Sequence, residues 1–161
     1  MNLIRVSALA ACFLCACSAY GPHGLRPGAS VDATVASMGR PTADIALADG
    51  GRRLEFGRGP YGKHTYMLNF NAKGELLRWE QVLTELKFAE IKPGMSSAEV
   101  LVRIGHPSEL RPIGLQKQTA WSYRYDTPFC QWFQVGIDPQ NRVVDTAYGL
   151  DPICDAPDAS I

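Results

Sequence analysis

Apolar and polar residues alternate at two periods along this chain, and each period occurs twice. Helical spacing comes first. Thr34, Val35 and Met38 line one side of a short segment after Ser30, and Val100, Leu101 and Ile104 do the same after Ser96. Each stretch opens on a serine able to cap free backbone N–H groups, and Ser96-Ser97-Ala98-Glu99 has the spacing of a capping box. Gly39 and Gly105 supply a left-handed residue past the helix end, and Pro41 and Pro107 stop the helix from resuming. Period two follows. Leu54 and Phe56 are matched by Trp121 and Tyr123, and Tyr66, Leu68 and Phe70 by Phe133, Val135 and Ile137. The turns Asn71-Ala72-Lys73-Gly74 and Asp138-Pro139-Gln140-Asn141 precede Leu76-Leu77 and Val143-Val144. This pattern predicts three antiparallel strands per copy, half buried against the helix. Asp49-Gly50-Gly51 is a further turn signal before Leu54. Thr84 to Ile91 predicts a short helix leading into the second copy.

The two copies keep a constant offset. Leu25-Arg26-Pro27-Gly28-Ala29-Ser30 aligns with Ile91-Lys92-Pro93-Gly94-Met95-Ser96, and Gly39-Arg40-Pro41-Thr42 with Gly105-His106-Pro107-Ser108, all 66 residues apart. Such self-similarity predicts a duplicated structural unit. The strands shift to an offset of 67, so one residue has been inserted between helix and sheet.

The first residues have a different character. Arg5 precedes the short apolar run Val6 to Leu14, which has the length of a secretory signal core and is too short to span a bilayer. Leu14-Cys15-Ala16-Cys17-Ser18 resembles the lipobox of bacterial lipoproteins, which places signal cleavage after residue 16 and diacylglyceryl transfer on the Cys17 thiol. Leu9-Ala10-Ala11-Cys12 is a rival match, but it would leave an implausibly short core and expose Phe13 and Leu14. Several acyl chains on one residue, each buried CH₂ worth about 0.8 kcal/mol, would anchor the chain stably. Ser18, rather than Asp, points to the outer membrane by Gram-negative sorting practice. Tyr20-Gly21-Pro22-His23-Gly24 reads as a flexible tether. Cys130 and Cys154 then remain as an even pair in an oxidising compartment, which makes a disulfide the natural reading. It would close a loop of about two dozen residues, worth roughly 3 kcal/mol. A zinc site lacks a nearby histidine, and a redox pair lacks Cys-x-x-Cys spacing.

Charge narrows the partners. The chain has 16 basic and 16 acidic side chains, and loss of the signal removes Arg5 alone. No basic surplus or Lys/Arg run exists to neutralise a phosphate backbone, so nucleic acid is an unsuitable partner. No catalytic set emerges either. His23 lies in the tether, His64 opens a strand, and His106 holds the slot that Arg40 fills in the first copy. Gly57-Arg58-Gly59-Pro60-Tyr61-Gly62 is glycine-rich but lacks the Lys-Ser/Thr of a phosphate loop. The expectation is a protein that is not an enzyme, with no cofactor, metal or small-molecule substrate.

At Lys87-Phe88-Ala89-Glu90-Ile91-Lys92-Pro93-Gly94-Met95-Ser96, with Val100 and Gly105-His106-Pro107 following, the chain resembles the SmpA/OmlA (BamE-like) lipoprotein family. The same segment is similar to the repeats of the secreted β-lactamase inhibitory protein, two α/β units in tandem. The resemblance implies an α+β fold of two tandem repeats, each a short helical segment packed on a three-stranded antiparallel sheet. It divides the chain into a signal peptide (1–16), lipidated cysteine and tether (17–24), two repeats (25–83 and 84–154) and a frayed tail (155–161). It also implies a lipoprotein of the outer membrane, facing the periplasm. Such a protein would bind envelope proteins, including the barrel-assembly complex, in outer-membrane protein assembly or envelope integrity. The alternative implied by the inhibitor is a periplasmic regulator of an enzyme. The chain departs from the best-known BamE-like member in its two copies and its cysteine pair. Alternation puts Met67 and Trp132 opposite Leu68 and Phe133, near Arg124 and Gln134. If exposed, these four would suit a protein-contact surface. If the two copies pack together there, they are buried, and the sequence leaves both open.

Overall fold

The computed structural model describes residues 20–155. The expected signal peptide, the expected lipidation site Cys17 and most of the expected tail lie outside the described residues. The architecture is α+β, with two four-stranded antiparallel sheets and few helices. In the first half, α1 (Val31–Met38) precedes β1 (Ala43–Ala46), β2 (Arg52–Gly57), β3 (Thr65–Phe70) and β4 (Leu76–Gln81). In the second, α2 (Glu85–Phe88) and α3 (Ser97–Ile104) precede β5 (Glu109–Ile113), β6 (Gln118–Arg124), β7 (Gln131–Ile137) and β8 (Val143–Leu150). Each sheet is a plain meander, its strands adjacent in chain order.

Four strands, not three, build each sheet. The additional ones, β1 and β5, are edge strands. β5 shows almost no buried side chain and contains Pro112, so it lacks the apolar alternation that announces a strand. The Asp49-Gly50-Gly51 turn closes the β1–β2 hairpin, where Leu47 N–H donates to the Gly51 carbonyl at 2.9 Å.

Matched sequence positions make matched bonds. Ser30 and Ser96 cap α1 and α3, accepting from Ala33 and Glu99 N–H, and Glu99 completes the capping box on the second helix only. Gly28 N–H donates to the Leu76 carbonyl and Gly94 N–H to the Val143 carbonyl, both at 2.8 Å. Isolated bridges join Ser30 to Glu75 and Ser96 to Arg142. Gly39 and Gly105 end their helices at φ 83° and 79° with ψ near −167°. Their φ is positive, but ψ is extended rather than left-handed helical, a combination open essentially to glycine alone.

Each helix covers the front of its own sheet. Met38, Leu54, Phe56, Leu68 and Phe70 belong to the first core, and Val100, Ile104, Tyr123, Phe133 and Val135 to the second. The segment expected as a tether is seated on the first core from Tyr20 onward. Pro22 is buried and its carbonyl accepts from Leu25 N–H at 2.9 Å. The counterpart bond, 66 residues on, runs from Ile91 N–H to the Phe88 carbonyl at 3.0 Å. Pro22 thus occupies the place that Phe88 of α2 holds over the second sheet, stacked 4.3 Å from Phe133. A Gly/Pro-rich composition suggested a solvated linker; the open end of the first core supplies the apolar seat that overrides it.

Candidate protein-docking surface

The two sheets differ in what covers their back faces. On the first, β2 and β3 are buried on both sides. Glu55, Met67 and Glu80 form one cross-strand row on the back. The end of α3 closes over it: Glu55 Oε1 accepts from His106 N–H at 2.9 Å, and Oε2 lies 2.8 Å from His106 Nδ1. Glu55 is only 1% exposed, so these bonds satisfy a carboxylate removed from water. Tyr123, beneath, donates its hydroxyl to the Gly105 carbonyl at 3.1 Å. Burial, and then the nearby Glu55 charge, push the Tyr123 hydroxyl well above its ordinary pKa. Alongside, Glu80 bridges Arg53 at 3.0 Å and Lys87 of α2 at 3.1 Å. Burial works to raise the Glu80 pKa, but hydrogen bonds from Lys87 and Arg53 outweigh it and hold the carboxyl low.

A second contact joins the halves at the start of the β6–β7 hairpin. Arg124 donates through Nε and Nη2 to the two Asp151 oxygens at 2.6 and 2.9 Å, a bidentate pair. Its Nη1 donates to the Pro60 carbonyl in the β2–β3 loop at 2.6 Å. The guanidinium lies 5.2 Å from the Trp132 ring and 5.8 Å from the Tyr61 ring. A disulfide joins Cys130 to Cys154, with Cα atoms 6.4 Å apart. It encloses the turn that holds Asp151, whose N–H donates to the Cys130 carbonyl at 3.0 Å and whose carbonyl accepts from Cys154 N–H at 2.9 Å. The covalent link therefore braces the acid that orients Arg124.

Of the four residues alternation placed on the back faces, three are buried: Met67, Arg124 and Trp132. The packing alternative holds for them, because contacts between the halves cover the rows they occupy. Gln134 is half-buried and donates to the Ser122 hydroxyl at 3.0 Å. It borders the part of the second sheet that stays open. There Ala147 is exposed, Ala120 is buried and Gly136 lies beneath the Gln118 and Asp145 side chains, in a groove of about 180 Å³ that Arg111 also lines. Glu55, Asp151 and Pro60 gave no sequence signal: Glu55 sits in an alternating strand, where an acid reads as an outward position, and the other two lie in connecting turns.

Among the described residues, no group of three or more His, Cys, Asp or Glu side chains is placed to hold a metal ion, and no helix is long and apolar enough to cross a membrane. The chain matches no family model and no curated protein. Among solved structures, a cysteine-rich secretory protein from Staphylococcus aureus subsp. aureus Mu50 is similar over 79% of this chain, at 13% identity and a TM-score of 0.31. The chain spans 45% of that protein's length. A likeness this slight carries no argument about fold or function.

Proposed function

We propose that this chain is a lipid-anchored outer-membrane protein, facing the periplasm, that acts without chemistry by docking envelope proteins in outer-membrane protein assembly or integrity. The open back face of the second sheet carries the reading. The first sheet's equivalent face is filled by α2 and the end of α3, whereas Ala120, Gly136 and Ala147 have no element packed over them among the described residues. Exposed Ala147, with Arg111, Gln118, Gln134 and Asp145 around it, offers a partner a largely polar contact surface. The lipobox supports the location. The repeated cap, glycine and bridge bonds support the finer arrangement, two tandem BamE-like repeats, each carrying one more strand than expected.

A photoreactive residue placed at Ala147 in the full-length chain in cells tests this. The expected result is a crosslink to an outer-membrane assembly subunit from position 147 and none from Ala33, which is exposed on α1. Equal capture from both positions, or none from 147, overturns the docking face. Capture of a soluble hydrolase from 147 replaces the assembly role with inhibition.

A further inference from the structure

Three of the most exposed apolar side chains, Tyr61 at 73%, Leu86 at 85% and Phe129 at 70%, occur at one end of the molecule. Contacts between neighbouring loops place them together. Arg124 ties the β2–β3 loop, with Tyr61, to the start of the β6–β7 hairpin, which carries Phe129. His64, Leu86 and Pro128 line one surface pocket between that loop, α2 and that hairpin. The chain enters the described structure at the same end. Tyr20 lies 4.2 Å under the Arg58 guanidinium and 6.2 Å from the Tyr66 ring, and Pro22 is buried beside it. Only two residues, Ser18 and Ala19, lie between Cys17 and Tyr20, a span of at most about 11 Å when fully extended.

We propose that this end rests in the interfacial layer of the bilayer holding the lipid, with Tyr61, Leu86 and Phe129 seated among the headgroups. The inference rests on the lipidation of Cys17. A lipid on so short a leash, attached to a seated segment, keeps this end at the surface rather than letting the body swing free. Exposed aromatic and aliphatic tips are the side chains that an interface accepts. The surrounding charges offset one another, Arg58 and Lys63 against Glu85 and Asp126, so the contact is apolar and independent of anionic lipid. The opposite end, with the β5–β6 turn, then faces the periplasm and leaves the open sheet face accessible.

Intact mass of the membrane-extracted chain, followed by amide hydrogen exchange of that chain on phosphatidylcholine vesicles, tests the proposal. The reference is the non-lipidated Cys17→Ser chain in buffer. The expected result is an acylated Cys17, with exchange slowed roughly threefold or more at residues 58–64 and 126–130 and unchanged at 114–117. Added phosphatidylglycerol should alter nothing. Tyr61→Glu with Phe129→Glu, both at exposed positions that leave the cores intact, should abolish the slowing while the lipid stays attached. An unmodified Cys17 overturns the anchor and the proposal together. An acylated chain overturns the proposal alone if its hairpins exchange freely, if both ends are protected alike, or if protection requires anionic lipid.

Discussion

At the scale of single residues, the interface between the halves is held by charges taken out of water, and each is answered by a partner from elsewhere in the chain. Glu80 shows how such a group couples stability to pH. Its carboxyl titrates below the ordinary value of 4.5 in the folded chain, so the unfolded chain binds the proton first as pH falls. Its contribution is complete above that value and is lost as pH falls through the lowered one. Glu80→Gln should therefore flatten the fall of stability below about pH 4.5, with little change in slope above it, in urea unfolding across a pH series. An unchanged acid limb would show that the bridges to Arg53 and Lys87 add nothing. None of this was legible beforehand. Arg53, Glu55 and Glu80 alternate with apolar neighbours, as solvated residues on a half-exposed strand would, and only the arrival of α2 and His106 buries that face.

Among elements, the cap-helix-glycine unit was the most readable part of the chain because its causes are local. A serine accepts from N–H groups three residues on, and a glycine takes a backbone conformation closed to other residues. The edge strands were less readable, having little apolar face to betray them. Copies alike in sequence also differ in surroundings. A Cβ built on Gly105 would lie 2.9 Å from Glu55 Oε1 and 3.0 Å from the Thr65 methyl, whereas one on Gly39 meets nothing within 4 Å. Both positions have positive φ, so Gly39→Ala should cost about 1–3 kcal/mol from backbone strain alone. Gly105→Ala should cost at least about 1 kcal/mol more, because it also displaces the carboxylate bound to His106. Guanidinium chloride midpoints at constant m-value measure the difference. Equal losses would mean that Glu55 moves aside freely.

For the molecule as a whole, the disulfide and the Arg124–Asp151 pair form one mechanical assembly. Reducing Cys130–Cys154 should lower stability by roughly 3 kcal/mol through chain entropy. Arg124→Ala, which leaves a buried carboxylate unpaired, should cost about 3–5 kcal/mol in the oxidised chain. The two losses should not add. Once the Asp151 turn is released, Asp151 can reach water and the arginine has less left to lose. A denaturation cycle over the four states measures this coupling, and strict additivity would separate the disulfide from the ion pair. The two cysteines that remain beyond the N-terminal segment made the bond readable; what it braces was not, since Asp151, Arg124 and Pro60 are brought together only by folding.

The seat of Pro22 has a consequence for force. Under the lipid anchoring proposed above, any pull between the membrane and a docked partner would enter the body through residues 20–25, held among the described residues by one turn bond and a few ring contacts. The meanders, with their rungs in parallel, would bear such tension only after this short strap had peeled away. Under that anchoring the seated segment would act as a mechanical fuse, its release lengthening the leash and sparing the folded body.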